Sequence, residues 1–371
     1  MISPRTILHT EASVGWGGQE IRIYTEMLAM RERGHRLLLS APKASRILAK
    51  ATEAGFEVRP LDDRRLAYPA SILGMRRWIH DTGVNVVNPH SSRDGWIAAI
   101  AGRMAGVPLV VRSRHIEVDY PNRFSSRIVF GRLPHHVLTT SERISSRLVS
   151  ELGLDPSRVT CVPTGIDLRR FHPRVEGVLH RELGLPPDVP LIGMISVLRS
   201  WKGHEYFLRA AELLNQSGHG FRFVIAGDGP IRPQVEAWIE EFGLRDRVHL
   251  LGHRDDVASI LASLDVLVLP SYAHEGVPQI VLQAQAVGRA VVGTRIGGIP
   301  EVIRDGETGV LVPPRDPEAL AEAVGRLMTD GSQRARIGNA ASTIAASRYG
   351  LDVMCGRLEA VYNLYLGTTP R

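Results

Sequence analysis

Leu191-Ile192-Gly193-Met194-Ile195-Ser196-Val197-Leu198-Arg199-Ser200-Trp201-Lys202-Gly203 is an apolar run that ends in a short loop carrying two cations and a glycine. Residues 191–197 have the length and continuity of a strand buried on both faces, as in a parallel sheet covered by helices on each side. A helix over Glu205–Gln216 follows the loop. Strand, tight loop and helix make one unit of a doubly wound α/β sheet.

Outward from this unit the alternation continues. Toward the C-terminus come strand Phe221–Ala226, helix Arg232–Phe242 and strands Val248–Leu251 and Val266–Leu269. Helix Gln279–Val287, strands Ala290–Val292 and Val310–Val312, and helices from Pro317 to Leu366 complete it. Toward the N-terminus, Pro186-Pro187, Gly177 and Pro173 interrupt the pattern. Before them a separate alternation runs: strand Ile7–Thr10, a helix bearing Ile21, Tyr24 and Leu28 and ending at Gly34, and strand Leu37–Ser40. Helix Arg46–Ala54, strand Phe56–Leu61, helix Ile72–Asp81, strand Val84–Asn88, helix Asp94–Ala105 and strand Leu109–Arg112 follow. A single core rarely exceeds about 250–300 residues, and the chain has 371. Two Rossmann-like α/β units are expected, residues 1–172 and 173–349.

Composition narrows the function. The chain is 44% hydrophobic and 23% charged, ordinary for a globular protein. Its two cysteines, Cys161 and Cys355, lack CxxC spacing, which argues against a disulfide framework or a structural zinc site. A formal net charge of +6 favours acidic partners: nucleotides, phosphates or an anionic membrane surface. No basic tract, zinc-finger spacing or aromatic RNA-binding signature is present, so nucleic acid is not an expected partner. No apolar run reaches the roughly 18 residues of a spanning helix, and the N-terminus has no signal-peptide pattern. A cytoplasmic protein is expected, with peripheral contact to the inner face of a membrane open to it.

Ligands of open parallel sheets bind at the carboxyl ends of the strands, so the loops there carry the candidate chemistry. Gly15-Trp16-Gly17-Gly18-Gln19-Glu20 joins the first strand to the first helix. Gly17 and Gly18 let a ligand approach the backbone, and the helix start offers N–H groups to an anion. The pattern is not GxGxxG, and a plain tight turn reads equally well. Arg199 and Lys202 suit a diphosphate, arginine gripping two oxygens and lysine adding a point charge; an isolated RxxK is more often a solvated basic turn. In Ser271–Gln283, Pro278 suits a first helical turn. The N–H groups of Gln279, Ile280 and Val281 then face a phosphate site. Glu275 sits just before that helix, where an acid is also favoured by the dipole alone. Gln283 lies about one turn further on, where a surface amide is the plain alternative. Arg112-Ser113-Arg114-His115 follows a strand, and His115 can donate a hydrogen bond or move a proton. Any one of 14 histidines is more often structural. His35 and His219 read as turn residues, and His135-His136 lacks acidic or cysteine partners for a metal. The Gly227-Asp228-Gly229-Pro230 and Gly297-Gly298-Ile299-Pro300 loops read as punctuation with potential ligand contact.

Taken in order, these segments resemble the retaining glycosyltransferases of family four, which have the GT-B fold. The resemblance runs nearly the full length. GGQE at 17–20 looks like the family's GGxE, and VPTGID at 162–167 resembles its IPNGVD with Thr164 in place of asparagine. IAGDGP at 225–230, LGHRDDV at 251–257 and GTRIGGIPEVI at 293–303 also match. The resemblance implies two Rossmann-like domains facing a central cleft, with the last helix, about 350–371, crossing back to the first. It implies a metal-independent, hexosyltransferase-like enzyme without a cofactor, taking a nucleotide-diphosphate sugar as co-substrate. Donor binding falls to Gly17, Gly18, Arg199, Lys202, Gly227, His253, Arg254, Gln279, Ile280, Val281 and Gln283. Catalysis falls to Glu275 and His115, and the acceptor side to Asp94 and Arg114, although Asp94 reads equally well as a helix N-cap. The family's second glutamate is here Gln283, which can accept a hydrogen bond but without charge assistance.

The implied acceptor is a saccharide or lipid-linked saccharide of cell-surface polysaccharide or lipopolysaccharide assembly. Segment 122–133 mixes Phe124, Ile128 and Phe130 with Arg123, Arg127 and Arg132, a pattern for a membrane interface or for a helix packed on the sheet. Two other readings stand: a GT-B sugar-nucleotide epimerase or phosphorylase, and a nucleotide-sugar binding protein without catalysis.

Overall fold

The computed structural model describes residues 4–117 and 123–367. The chain forms two compact units, Met1–Gly165 with Leu351–Arg371, and Ile166–Gly350. The first therefore ends at Gly165, short of 172, because Ile166 and Phe171 are buried in the apolar core of the second.

The first unit holds a seven-stranded parallel sheet. Its strands are β1 (Thr6–Thr10), β2 (Arg36–Ala41), β3 (Glu57–Pro60), β4 (Val86–Pro89), β5 (Leu109–Arg114), β6 (His136–Thr139) and β7 (Val159–Cys161), in the order β3-β2-β1-β4-β5-β6-β7. β6, β7 and the helix Glu142–Leu152 between them escaped the sequence pattern: the strands have four and three residues, and their apolar runs are broken by threonines. Two layers of buried side chains flank the sheet, one around Ile23, Met27 and Leu39, the other around Ile79, Ile97 and Ala101. Helix Leu351–Leu366 completes the first layer with Met354, Cys355, Leu358, Val361 and Tyr362.

The second unit holds a six-stranded parallel sheet: β8 (Leu191–Ile195), β9 (Arg222–Ala226), β10 (Val248–Gly252), β11 (Val266–Leu269), β12 (Ala290–Thr294) and β13 (Val310–Val312), in the order β10-β9-β8-β11-β12-β13. β8 stops at Ile195, two residues before the end of its apolar run, and Val197 is exposed. Every strand pair in both sheets is parallel. In each sheet the order reverses once, between β1 and β4 and between β8 and β11. Such switch points open a crevice at the carboxyl ends of the strands.

Segment 122–133 lies partly outside the described residues; neither Asn122 nor the side chain of Arg123 is described. The rest does not present one apolar stripe. Helix Arg123–Arg127 passes into a wider π turn over Ile128–Arg132. Val129 and Phe130 are buried with Ile144 and Leu148, while Phe124 is 73% exposed. His35 is no simple turn residue: its Nδ1 accepts from the Arg5 N–H and its Nε2 lies 3.2 Å from Glu359.

Candidate functional site

In the second unit, the loops after β8, β9, β11 and β12 are pressed together backbone to backbone, and glycines make this possible. A Cβ on Gly203 would lie 2.1 Å from the Pro270 carbonyl oxygen, and one on Gly227 1.9 Å from that of Ser196. One on Gly297 would lie 2.1 Å from the Glu275 carbonyl oxygen. Gly227, read as a donor contact, has φ of 144°. Its first role in this structure is to let two loops touch.

This packing brings Lys202, after β8, against Glu275, after β11, across the switch point. Lys202 Nζ lies 2.5 Å from Glu275 Oε1, and Ser271 Oγ donates to the same oxygen at 2.6 Å. Glu275 is buried and Lys202 half-buried. Arg199 is exposed, its guanidinium 5.2 Å from the centre of the Trp201 indole. Trp201 in turn meets His274 edge to face. His274 has φ of 56°, a left-handed conformation that a non-glycine residue adopts at a cost. His204 is buried behind the loop and bonded to Ser196; burial, then the Lys202 charge, push it down to about 4.

The helix after β11 begins at Gln279, with Pro278 as N-cap rather than inside the first turn. Val281 is fully buried and its N–H donates to the Pro278 carbonyl at 3.2 Å, so this amide is taken up by the helix itself. The Ile280 amide makes no backbone hydrogen bond outside its own helix among the described residues. Gln283 is half-buried. Arg254 is gripped by Asp256 and by Glu182 at 2.6–3.3 Å, an arrangement that ties its loop down. His253 lies 3.5 Å from the exposed Asp255.

In the first unit Gly17 caps the helix Gly18–Glu32, and its N–H donates to Glu20 Oε2. That amide is therefore satisfied within the chain. Glu11, fully buried, accepts from the Ala12 and Ser13 amides and from the side chains of Gln19 and Ser91. Asp94 is not an N-cap: Ser91 holds that position, and Asp94 Oδ2 accepts from the His90 N–H and Thr10 Oγ1. Burial, then the neighbouring Glu11 charge, push Asp94 up to about 7. Arg114 and Arg112 share the Phe130 ring, at 5.8 and 5.3 Å. A Cβ on Gly95 would sit 2.8 Å from the Arg112 guanidinium, so Gly95 makes room for it on the helix Ser92–Met104.

His115, just past β5, belongs to a group that the sequence did not reveal. His9 at β1, His90 after β4 and His115 are all buried and joined edge to edge. His9 Nδ1 lies 2.8 Å from His90 Nε2, and His90 Nδ1 lies 2.8 Å from His115 Nε2. The rings are 15° and 28° from parallel, with centres 5.2 and 5.0 Å apart. Burial first, then neighbouring charges including Arg22, hold all three pKa values below the ordinary histidine range.

Two Rossmann-like units, each with polar side chains gathered at its switch point, define an enzyme of the GT-B class. The models of two families match: Glycosyltransferase Family 4 over residues 16–170, and Glycosyl transferases group 1 over 189–330. The chain belongs to these group 1, family 4 glycosyltransferases. It is 34% identical to the D-inositol 3-phosphate glycosyltransferase of Corynebacterium urealyticum, covering 83% of this chain and 78% of that one. It is 29% identical to the UDP-Gal:alpha-D-GlcNAc-diphosphoundecaprenol alpha-1,3-galactosyltransferase of Escherichia coli, covering 70% of each. A glycosyltransferase from Rickettsia africae has the same fold, with a TM-score of 0.89 at 19% identity, covering 99% of this chain and 100% of that one.

Proposed function

We propose that this glycosyltransferase is retaining and metal-independent, moving a sugar from a nucleoside-diphosphate sugar to a saccharide or lipid-linked saccharide acceptor. The observation that carries the reading is Lys202 on Glu275 at the second switch point, with Arg199 exposed beside it. Lys202 exchanges its carboxylate for the donor diphosphate. Arg199 adds a second cation, and together they stabilise the charge that develops on the leaving group. The Ile280 amide, at a helix start, adds a dipole. Glu275, freed from Lys202, turns to the transferred sugar, and attack comes from the face the leaving group departs from. Asp94 and Arg114 serve the acceptor. The E. coli relative, a galactosyltransferase named for its GlcNAc-diphosphoundecaprenol acceptor, supports a place in cell-surface polysaccharide or lipopolysaccharide assembly. The +6 charge and exposed Phe124 support transient contact with an anionic membrane. Among the described residues no helix is long and apolar enough to cross one.

A thermal-shift screen of nucleotides and sugar nucleotides tests donor binding, because a ligand of the folded state alone raises the apparent Tm. The expected hit is a nucleoside-diphosphate sugar, with turnover requiring acceptor, surviving EDTA, and rising with anionic vesicles at low salt. Conversion of donor alone to an epimer overturns the transferase reading. Loss of activity in EDTA, restored by a divalent cation, overturns metal independence. Equal activity with and without vesicles leaves a soluble acceptor.

A further inference from the structure

The three linked histidines constrain one another. Each is neutral, so each ring carries one proton on one nitrogen. Each of the two bonds needs one donor and one acceptor. If His9 donates from Nδ1, His90 accepts at Nε2, must donate from its own Nδ1, and forces His115 to accept at Nε2. All three are then Nδ1–H rings. If His115 donates from Nε2, the reverse holds and all three are Nε2–H rings. No mixed column keeps both bonds.

The ends of the column differ. At the inner end His9 Nε2 faces Glu26 Oε1 at 3.9 Å, and both residues are buried. A carboxylate there attracts an N–H and repels a lone pair. At the outer end His115 Nδ1 is buried and has no hydrogen-bond partner among the described residues. A buried ring nitrogen left in this state carries a cost unless a ligand meets it.

We propose that Glu26 is a positioning residue that acts through His9 and His90. It fixes all three rings as Nε2–H tautomers, so that His115 presents Nδ1 as a hydrogen-bond acceptor to a ligand hydroxyl. The choice of ligand rests on the transferase reading above. A bare Nδ1 repels phosphate and carbonyl oxygens, which bring no proton, and welcomes a sugar hydroxyl. The column thereby sorts hydroxyl from anionic oxygen at that spot.

Glu26 faces His9 from β1, Arg22 from its own helix, with Nε at 3.8 Å, and Cys355 and Tyr362 from the helix Leu351–Leu366. Burial, chiefly, keeps Cys355 and Tyr362 neutral by raising both. Burial also pushes Glu26 up to about 7, against the pull of Arg22. Protonating Glu26 turns its facing oxygen into a donor and favours the opposite column, with His115 offering Nδ1–H. Arg22, Arg112 and Arg114, the cations that face His115, stay charged throughout this range and do not reverse the change.

Long-range 15N–1H spectra of the ligand-free, 15N-histidine-labelled protein report each ring's tautomer, independently of turnover. At pH 8 His9, His90 and His115 are expected to be Nε2–H together. Between pH 8.5 and 5.5 their tautomer ratio should fall at least threefold in concert, and Glu26→Gln should lower it similarly at pH 8. Nδ1–H rings at pH 8, different tautomers within the column, or ratios unmoved by both acid and Glu26→Gln overturn the proposal. Asp94, which accepts from the His90 N–H, is also pushed up to about 7, so the titration is repeated in Asp94→Asn. If Glu26→Gln does not fold, a concerted change that persists in Asp94→Asn supports the proposal, and its loss there overturns it.

Discussion

On the proposed reading, Lys202 and Glu275 are partners that donor binding separates. Each satisfies the other in this structure, and Ser271 supplies the second bond to the carboxylate. Their substitutions therefore have opposite signatures. Lys202→Ala removes a charge-assisted contact to the diphosphate, about 1.5–3 kcal/mol, so nucleoside-diphosphate affinity should drop roughly ten- to hundredfold. Glu275→Ala leaves Lys202 unopposed, so affinity should hold or tighten while kcat falls on the order of a hundredfold. Calorimetry and initial rates on both variants check this; full kcat in Glu275→Ala removes the carboxylate from the chemistry. The sequence places both residues at strand ends, but their contact spans 73 positions. It follows from β8 lying beside β11, which no local pattern states. His9 and His90 were illegible for the same reason. Each is a lone histidine in its own segment, and only the order β1-β4-β5 makes them neighbours of His115.

At the scale of elements, the strand–helix alternation was readable because buried parallel strands are apolar throughout. What escaped were β6 and β7, too short to set a period, the helix Glu142–Leu152 between them despite its Ile144, Leu148 and Leu152 stripe, and the use of individual amides at helix starts. Val281 and Gly17 carry N–H groups that look available in sequence and are bonded within the chain. The glycine loops were legible as turns, but not as the contact surfaces between turns. That difference is measurable. Gly227→Ala forces a Cβ into the Ser196 carbonyl at a φ of 144°, and should cost about 3 kcal/mol and abolish donor binding. Gly218→Ala has a positive φ of 76° but nothing within 4 Å, and should cost only about 1 kcal/mol. Chemical denaturation separates the two; equal losses mean that backbone conformation alone, not loop contact, selects these glycines.

For the whole molecule, the helix Leu351–Leu366 is held to the first unit by charge as well as by apolar packing. Arg33 donates to both oxygens of Glu359 at 2.7–2.8 Å, and His35 lies 3.2 Å from one of them. Burial pushes Glu359 up, but these bonds outweigh it and hold its pKa below the ordinary value of 4.5. A depressed carboxylate stabilises the fold above its unfolded pKa, and that contribution is lost as pH falls through the folded value. Glu359→Gln should therefore lower Tm at pH 7 by an amount corresponding to about 1–3 kcal/mol. The gap to the parent protein should narrow below about pH 4, as thermal denaturation at several pH values will show. A constant gap assigns the effect to packing instead.

The first unit thus takes its strands from one stretch of chain and a wall of its core from another, with Ile166–Gly350 between them. Ile166 and Gly350, the two ends of that intervening stretch, are bridged side by side. During synthesis this imposes an order opposite to that of the sequence. The nascent N-terminal sheet emerges first, but one apolar face, covered in part by Ile23, Met27 and Ile47, stays incomplete until Met354, Cys355, Leu358 and Tyr362 have left the ribosome. The inserted sheet, complete when Gly350 appears, is free to fold before it.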